Sequence, residues 1–215
     1  MVILKMTKEL ESYRWRYATK KFDSNKKISK PNIELIKEAI NLAPTSYGLQ
    51  LFKVFIIENQ EIKNQLKAAS YSQSQISDAS HIFIFCNKAK IDAADVDIYI
   101  NNKSRIQNKP INEVKGYGDF LKSNLLKKED NKIATWTTNQ VYIALSHLMT
   151  FCASIKIDSC PIEGFEAKKY NEILKLSNQN LNASVVAAVG YRSSDDQSQY
   201  EKKIRKSFDE LFETF

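Results

Sequence analysis

Met6, Leu10, Tyr13 and Tyr17 recur at steps of four, three and four, so the spacing predicts an amphipathic helix near the start of the chain. "ISKPNIELIKEAINLAP" (28–44) predicts a second helix, with Ser29 as its cap, Pro31 in its first turn and Ile33, Ile36 and Ile40 along one face. That helix must stop before Pro44, because proline disfavours helical geometry in the residue preceding it. The β-branched and aromatic runs "FKVFIIE" (52–58), "HIFIFCN" (81–87) and "SVVAAVGYR" (184–192) predict strands. "WTTNQVYIALSHLMTFCASI" (136–155) is apolar on several sides and free of Gly and Pro, which predicts a buried central helix. A further helix is expected over "FEAKKYNEILKLS" (165–177), and the tail "YEKKIRKSFDELFETF" is amphipathic and charged. Strands separated by helices in irregular order argue for α+β, or a loosely layered α/β fold.

The chain has 215 residues, 43% of them hydrophobic, and neither a repeat period nor a Gly/Pro/Ser-rich linker, so a single domain over 1–215 is expected. The first apolar run, "MVIL", is broken by Lys5 and is too short for a secretory signal, and no run reaches the length of a membrane span. A cytoplasmic protein without membrane partners is the expectation. Cys86, Cys152 and Cys160 form no CxxC pair and read as buried thiols.

The net charge is +7, with the excess concentrated in residues 1–30 and 101–132. Arg14, Arg16, Lys20 and Lys21 crowd into "RWRYATKKF". Such a run fits a solvated face, nucleic acid or a phosphorylated ligand. Five glycines, Gly48, Gly116, Gly118, Gly164 and Gly190, cannot write GxGxxG or a Walker A loop. With His81 and His147 as the two histidines, there is no HExxH or clustered Cys/His pattern, so no metal site is expected.

Six fragments in register, "RYATKKFD", "APTSYGLQLFKVFII", "SDASHIFIFC", "NQVYIALSHLM", "PIEGF" and "KKIRKSFDEL", resemble the FMN-dependent nitroreductase family. The similar branch is that of the oxygen-insensitive NAD(P)H nitroreductases and their dihydropteridine-reductase relatives. The resemblance implies a nitroreductase-like α+β fold with a central mixed sheet wrapped by helices. It also implies a homodimer with FMN at the subunit interface. NADH or NADPH would reduce the flavin, and a nitroaromatic, quinone or pteridine-type acceptor would then replace it in ping-pong order.

Residue by residue, the resemblance assigns Arg16, Lys203 and Arg205 to the FMN phosphate, a dianion that suits guanidinium and ammonium donors. Tyr17 and Ala18 would reach the flavin through their backbone; the family commonly has Ser at the position of Ala18. Lys20 would face the N1/C2-carbonyl edge, where reduction builds negative charge. Pro44, Thr45, Ser46 and Gly48 match the small-residue loop that covers the ring from the partner subunit, and Tyr47 lies among them as a substrate contact. Gln75 aligns best with the donors to the pyrimidine edge, ahead of Ser72 and Gln73. Glu163 and Gly164 match the turn whose backbone N–H faces flavin N5. "KGYGDFLKSNLLKKED" (115–130) falls where the family has a mobile region over the substrate face, with Phe120, in competition with Tyr117, as the aromatic that stacks on acceptors. No side chain is assigned as a catalytic acid, base or nucleophile. Two other classes stay open: a flavin-binding or sensor protein without turnover, and a basic nucleic-acid-binding protein, against which stand the interspersed acids and the lack of any recognised binding motif, so no nucleic-acid partner is expected.

Overall fold

The computed structural model describes residues 7–215; Met6 and the "MVIL" run lie outside the described residues. The elements run α1 (Lys8–Trp15), α2 (Lys30–Asn41), β1 (Phe52–Ile57), α3 (Gln60–Ala68), α4 (Ser74–Asp78), β2 (His81–Lys88), α5 (Ala93–Gln107) and α6 (Ile111–Leu125). They continue with α7 (Asp130–Ser154), β3 (Asp158–Ile162), α8 (Ala167–Ile173), β4 (Leu181–Gly190) and α9 (Phe208–Leu211). The sheet has the order β1-β2-β4-β3 and every strand pair in it is antiparallel. The mixed pairing expected from the resemblance is thereby corrected: among the described residues, parallel pairing is confined to an isolated bridge between Ala18 and Ser159.

Side chains alternate across β2 and β4, and the alternation builds two cores. Ile82, Ile84, Cys86, Val186 and Ala188 face Leu66 of α3 and Tyr170 of α8. Phe83, Phe85, Val185, Ala187 and Val189 face Ile36 and Ile40 of α2 and Val141, Leu145 and Leu148 of α7. Burial on both faces explains why these strands read as continuous apolar runs rather than alternating ones. β3 lies at the sheet edge, where Pro161 removes no essential ladder donor. Cys86, Cys152 and Cys160 are buried and unbridged. No helix among the described residues is long and apolar enough to cross a membrane.

α1 ends at Trp15 because Arg16 turns extended, so Tyr17 lies beyond the helix that its spacing suggests. α2 starts under the Ser29 cap with Pro31 in its first turn, as its sequence dictates. α7 begins six residues before Trp136, at Asp130. The segment 115–130 is mostly helix, with α6 running through both of its glycines to Leu125. The reason is packing. A Cβ on Gly118 would sit 2.8 Å from Ile100 Cγ1, so this glycine lets α6 close on α5, whereas a Cβ on Gly116 would meet nothing within 4 Å. These helices close a third, smaller core with Leu49 and Leu51.

The two glycines therefore predict opposite substitutions. Gly116→Ala should stabilise by about 0.5–1 kcal/mol through helix propensity. Gly118→Ala carries the same gain against an overpacking cost of about 1–3 kcal/mol and should lower stability. Urea denaturation of both variants tests this, and equal midpoints would refute the packing role of Gly118.

Candidate functional site

The two ends of the chain are joined at Asp196. Its buried carboxylate, 2% exposed, accepts the Tyr17 hydroxyl at 2.8 Å and the backbone N–H groups of Lys20 at 2.7 Å, Lys21 at 3.0 Å and Ser198 at 3.1 Å. Burial alone would raise the Asp196 pKa, but these donors outweigh it and hold the group below the ordinary carboxylate value. Burial, followed by the hydrogen bond to that carboxylate, pushes the Tyr17 phenol well up. Around this pin the N–H of Asp23 donates to Tyr191 O at 2.8 Å and that of Ser193 to Lys21 O at 2.9 Å, so residues 17–23 run beside 191–193.

Extended backbone sends alternate residues to opposite sides. Thr19 is fully buried, whereas Ala18 and Lys20 are exposed on the other face. The Ala18–Ser159 bridge brings this segment against β3, where the Lys20 ammonium acts on Cys160, a thiol that burial otherwise raises.

Lys203 reaches the end of α1 here, within range of the charges of Arg16 and Arg205. The Lys203 ammonium is held below the ordinary lysine value, first by burial and then by the charges of Arg16, Arg205 and Arg192, while it donates to the Arg14 carbonyl at the end of α1. Arg192 is compensated by Asp158, which accepts its Nε at 2.8 Å and lies 2.6 Å from its Nη2, and it stacks over Trp15 and Tyr17. Among the described residues no carboxylate lies within ion-pair distance of Arg16, Lys203 or Arg205. The Nε of Arg16 is buried with no hydrogen-bond partner. A cluster of like charges with an orphaned buried donor suits an anion rich in acceptor oxygens, and the residues present fit a phosphate monoester.

β3 leads from this cluster into the turn 163–166. Phe165 N donates to Glu163 O at 2.9 Å, and Glu166 N donates to Ala69 O at 2.9 Å. Gln73, at the start of α4, spends its amide on Ser70 O at 3.0 Å and Gly164 O at 2.7 Å. Gln75 is half-buried, and its side-chain amide makes no hydrogen bond among the described residues, so of the three candidates in "SQSQ" it keeps its donors available, while Ser72 is exposed with φ 60°. The Glu163 carboxylate accepts the Tyr142 hydroxyl at 2.6 Å; burial and this bond push the phenol up to about 12.

The loop after α2 forms a separate group. Ser46 N–H donates to the Gln140 side chain at 2.8 Å, and Gly48 N–H to Thr45 O at 2.9 Å. Gly48 has φ +74°, a left-handed turn that glycine adopts without strain, and a Cβ there would meet Tyr99 Oη at 3.3 Å. Tyr47 meets Trp136 edge-on with centroids 6.1 Å apart, and Tyr99, Tyr117 and the half-exposed Phe120 continue the aromatic wall. The structure thus gathers Arg16, Tyr17, Ala18, Lys20, Lys203 and Arg205, with β3 leading on to Glu163 and Gly164, and separately gathers Pro44, Thr45, Ser46, Tyr47, Gly48 and Phe120. α7 touches both groups: Gln140 holds the loop and Tyr142 the turn. Side chains two positions apart on a helix project about 200° apart, so the two groups sit on different sides of α7.

Asp196, Gln140, Tyr142 and the clamping role of Gln73 were missed by sequence reasoning. Each is a polar residue whose partner lies far along the chain, and no local pattern marks it.

The model of the Nitroreductase family matches residues 13–191. YfkO of Bacillus subtilis, provisionally named an NAD(P)H nitroreductase, is 36% identical over 200 residues that cover 88% of this chain and 90% of that protein. A Staphylococcus epidermidis crystal structure, provisionally described as an NAD(P)H:FMN oxidoreductase, is similar with a TM-score of 0.85 at 16% identity, over 99% of this chain and 98% of that one. A provisionally described nitroreductase from Exiguobacterium sibiricum, crystallised in complex with FMN, gives 0.83 at 18% identity over 100% of both chains. At these identities the two structures show the fold.

Truncating the pin at the chain ends should be costly. Asp196→Ala is expected to lower stability by about 2–4 kcal/mol, since four donors lose one charged acceptor. Because the folded pKa lies below the unfolded one, the stabilisation is present above the unfolded carboxylate value near ~4 and is lost as pH falls through the folded value. Denaturation between pH 3 and 7 should show an acid limb that flattens in Asp196→Asn; an unaltered limb would exclude Asp196 as its source.

Proposed function

The chain belongs to the nitroreductase family, and from that premise we propose that it is a homodimeric FMN enzyme that moves electrons from NADH or NADPH to a flat acceptor such as a nitroaromatic, quinone or pteridine. The observation that carries the reading is the uncompensated meeting of Arg16, Lys203 and Arg205 beside the orphaned Arg16 Nε. When bound, FMN supplies the chemistry, accepting a hydride from the nicotinamide and passing electrons to the acceptor.

The chain's own residues hold and orient. Arg16, Lys203 and Arg205 would bind the phosphate, with Tyr17 and Ala18 offering backbone beside it. Lys20 would set its ammonium at the N1/C2-carbonyl edge, where developing negative charge is stabilised more than the oxidised ring. Gln75 would donate its free amide to the pyrimidine edge, and Glu163 and Gly164 would present backbone N–H groups. The whole 215-residue chain would serve as one FMN-binding domain.

A second copy is part of this reading. The loop with Pro44, Thr45, Ser46 and Gly48 and the turn at Glu163 are held by side chains on different sides of α7, which supports a ring enclosed by segments of two chains. The partner's loop would cover the flavin, with the walls carrying Tyr47 and Phe120 lining a slot used in turn by nicotinamide and acceptor. Water exclusion by these rings and fixed orientation would supply the rate advantage, in keeping with the absence of any assigned acid or nucleophile.

The purified protein should be a yellow dimer that anaerobic NADH or NADPH bleaches and a nitroaromatic recolours, followed by stopped-flow absorbance. A colourless protein that refuses added FMN would overturn the proposal. Arg16→Ala and Arg205→Ala should each weaken FMN retention by about tenfold to a hundredfold, the value of a charge-assisted hydrogen bond, with the far-UV circular dichroism unchanged. Undiminished retention would remove that residue from the phosphate site.

A further inference from the structure

The turn after β3 displays donors and occupies its acceptors. Among the described residues the backbone N–H groups of Glu163 and Gly164 make no hydrogen bond, and both residues are exposed. Its oxygens are engaged: Glu163 O takes Phe165 N at 2.9 Å, Gly164 O takes Gln73 Nε2 at 2.7 Å, and Glu163 Oε1 takes the Tyr142 hydroxyl at 2.6 Å. The last two donors come from the residue that caps α4 and from α7.

We propose that Gln73 and Tyr142 are positioning residues that keep the carbonyl and carboxylate oxygens of the 163–166 turn away from the ligand, so that flavin N5 meets N–H groups alone. The inference rests on the FMN reading above. Its chemical consequence follows from hydrogen-bond polarity. Oxidised N5 carries a lone pair and is served by an N–H donor. After one electron and one proton are added, N5 carries hydrogen and needs an acceptor instead. A glycine peptide that could turn over would offer its carbonyl to that N5–H and stabilise the one-electron state. Glycine has the backbone freedom to do this, and Gln73 removes it by holding the Gly164 carbonyl.

The two groups are fitted to one another. A Cβ on residue 164 would lie 3.3 Å from Gln73 Nε2, so glycine leaves room for the amide that restrains it. Tyr142 acts on the third oxygen. Without its hydroxyl the Glu163 carboxylate is free to swing towards the ring as a charged acceptor. With both restraints in place an N5-protonated one-electron state finds no acceptor in the turn.

The test uses the FMN-loaded full-length dimer, titrated anaerobically with dithionite and followed by absorbance and by electron paramagnetic resonance. The wild type should bleach through one isosbestic point with no unpaired-electron signal. Gln73→Met, which keeps length and loses the donor, should raise that signal at half-reduction at least tenfold, and Tyr142→Phe should raise it less. Gly164→Ala leaves Gln73 in place but crowds its amide, and should resemble Gln73→Met; it decides the matter if Gln73→Met does not fold. Variants that hold FMN and reduce as the wild type does would overturn the positioning role while leaving the FMN reading intact. A wild type that neither binds FMN nor bleaches with NAD(P)H would instead overturn the functional reading itself.

Discussion

The carboxylate of Asp196 is the constraint from which the candidate site follows. A buried carboxylate survives in a protein when its oxygens are fully engaged, and here the engaged donors are neutral: a phenol and three backbone N–H groups. That choice has an electrostatic result. Had Asp196 been satisfied by Arg16 or Lys20, the pin would have neutralised a cation of the cluster that it assembles. Asp158 shows the other arrangement, since it takes Arg192 in a close ion pair and thereby removes that guanidinium from the set open to a ligand. One acid holds the backbone and leaves charge free; the other consumes charge and fixes the stack on Trp15 and Tyr17.

α7 performs the corresponding service for the uncharged half. It is the longest helix described, it packs on β2 and β4 through Val141, Leu145 and Leu148, and it sends Gln140 and Tyr142 to different loops. A packed core helix is a rigid reference, so two loops hydrogen-bonded to it keep a fixed relation to one another. Loops placed by a rigid scaffold are where binding groups concentrate. The donor-only turn and the small-residue loop are both of this kind. Their separation around the helix is what makes a second chain part of the functional reading rather than an addition to it.

How much of this was legible in the sequence depends on how local each cause is. β1, β2, β4, α2 and α7 were legible because their apolar runs, caps and proline stops are local signals. β3 is short and carries Pro161, which argues against a strand unless the edge position is known. α5 buries Val96 and Ile100 beneath a helix otherwise rich in polar residues, so its period is faint. The glycines of α6 read as a loop because a close helix contact and a flexible turn call for the same residue. At the site, Arg16, Lys203 and Arg205 came from a family resemblance, because no local pattern in the sequence brings residue 16 to residues 203 and 205. Asp196 could not be read: Asp195 beside it is exposed, and a one-residue change in how the chain leaves β4 would exchange them. Gln73 and Gln75 pose the same problem, since of two like residues two positions apart one amide is bonded to Ser70 and Gly164 and the other makes no hydrogen bond among the described residues.

The cation cluster also explains how the chain's last segment is held. From Glu201 onward the tail is exposed, with α9 as a single turn under its Ser207–Glu210 capping box. Packing therefore contributes little to its position, and Lys203 is tied by one donation to the Arg14 carbonyl. That carbonyl belongs to the last turn of α1, where unsatisfied backbone oxygens give the helix end a partial negative charge. The attraction is opposed by Arg16, Arg205 and Arg192, whose charges disfavour a protonated Lys203. An anion among these groups adds an attraction to each of them that opposes those repulsions. Anything that binds the folded state in this way stabilises it by mass action, so the ligand and the tail would order one another. The same repulsion that leaves the site open to an anion makes its unliganded form the less stable one.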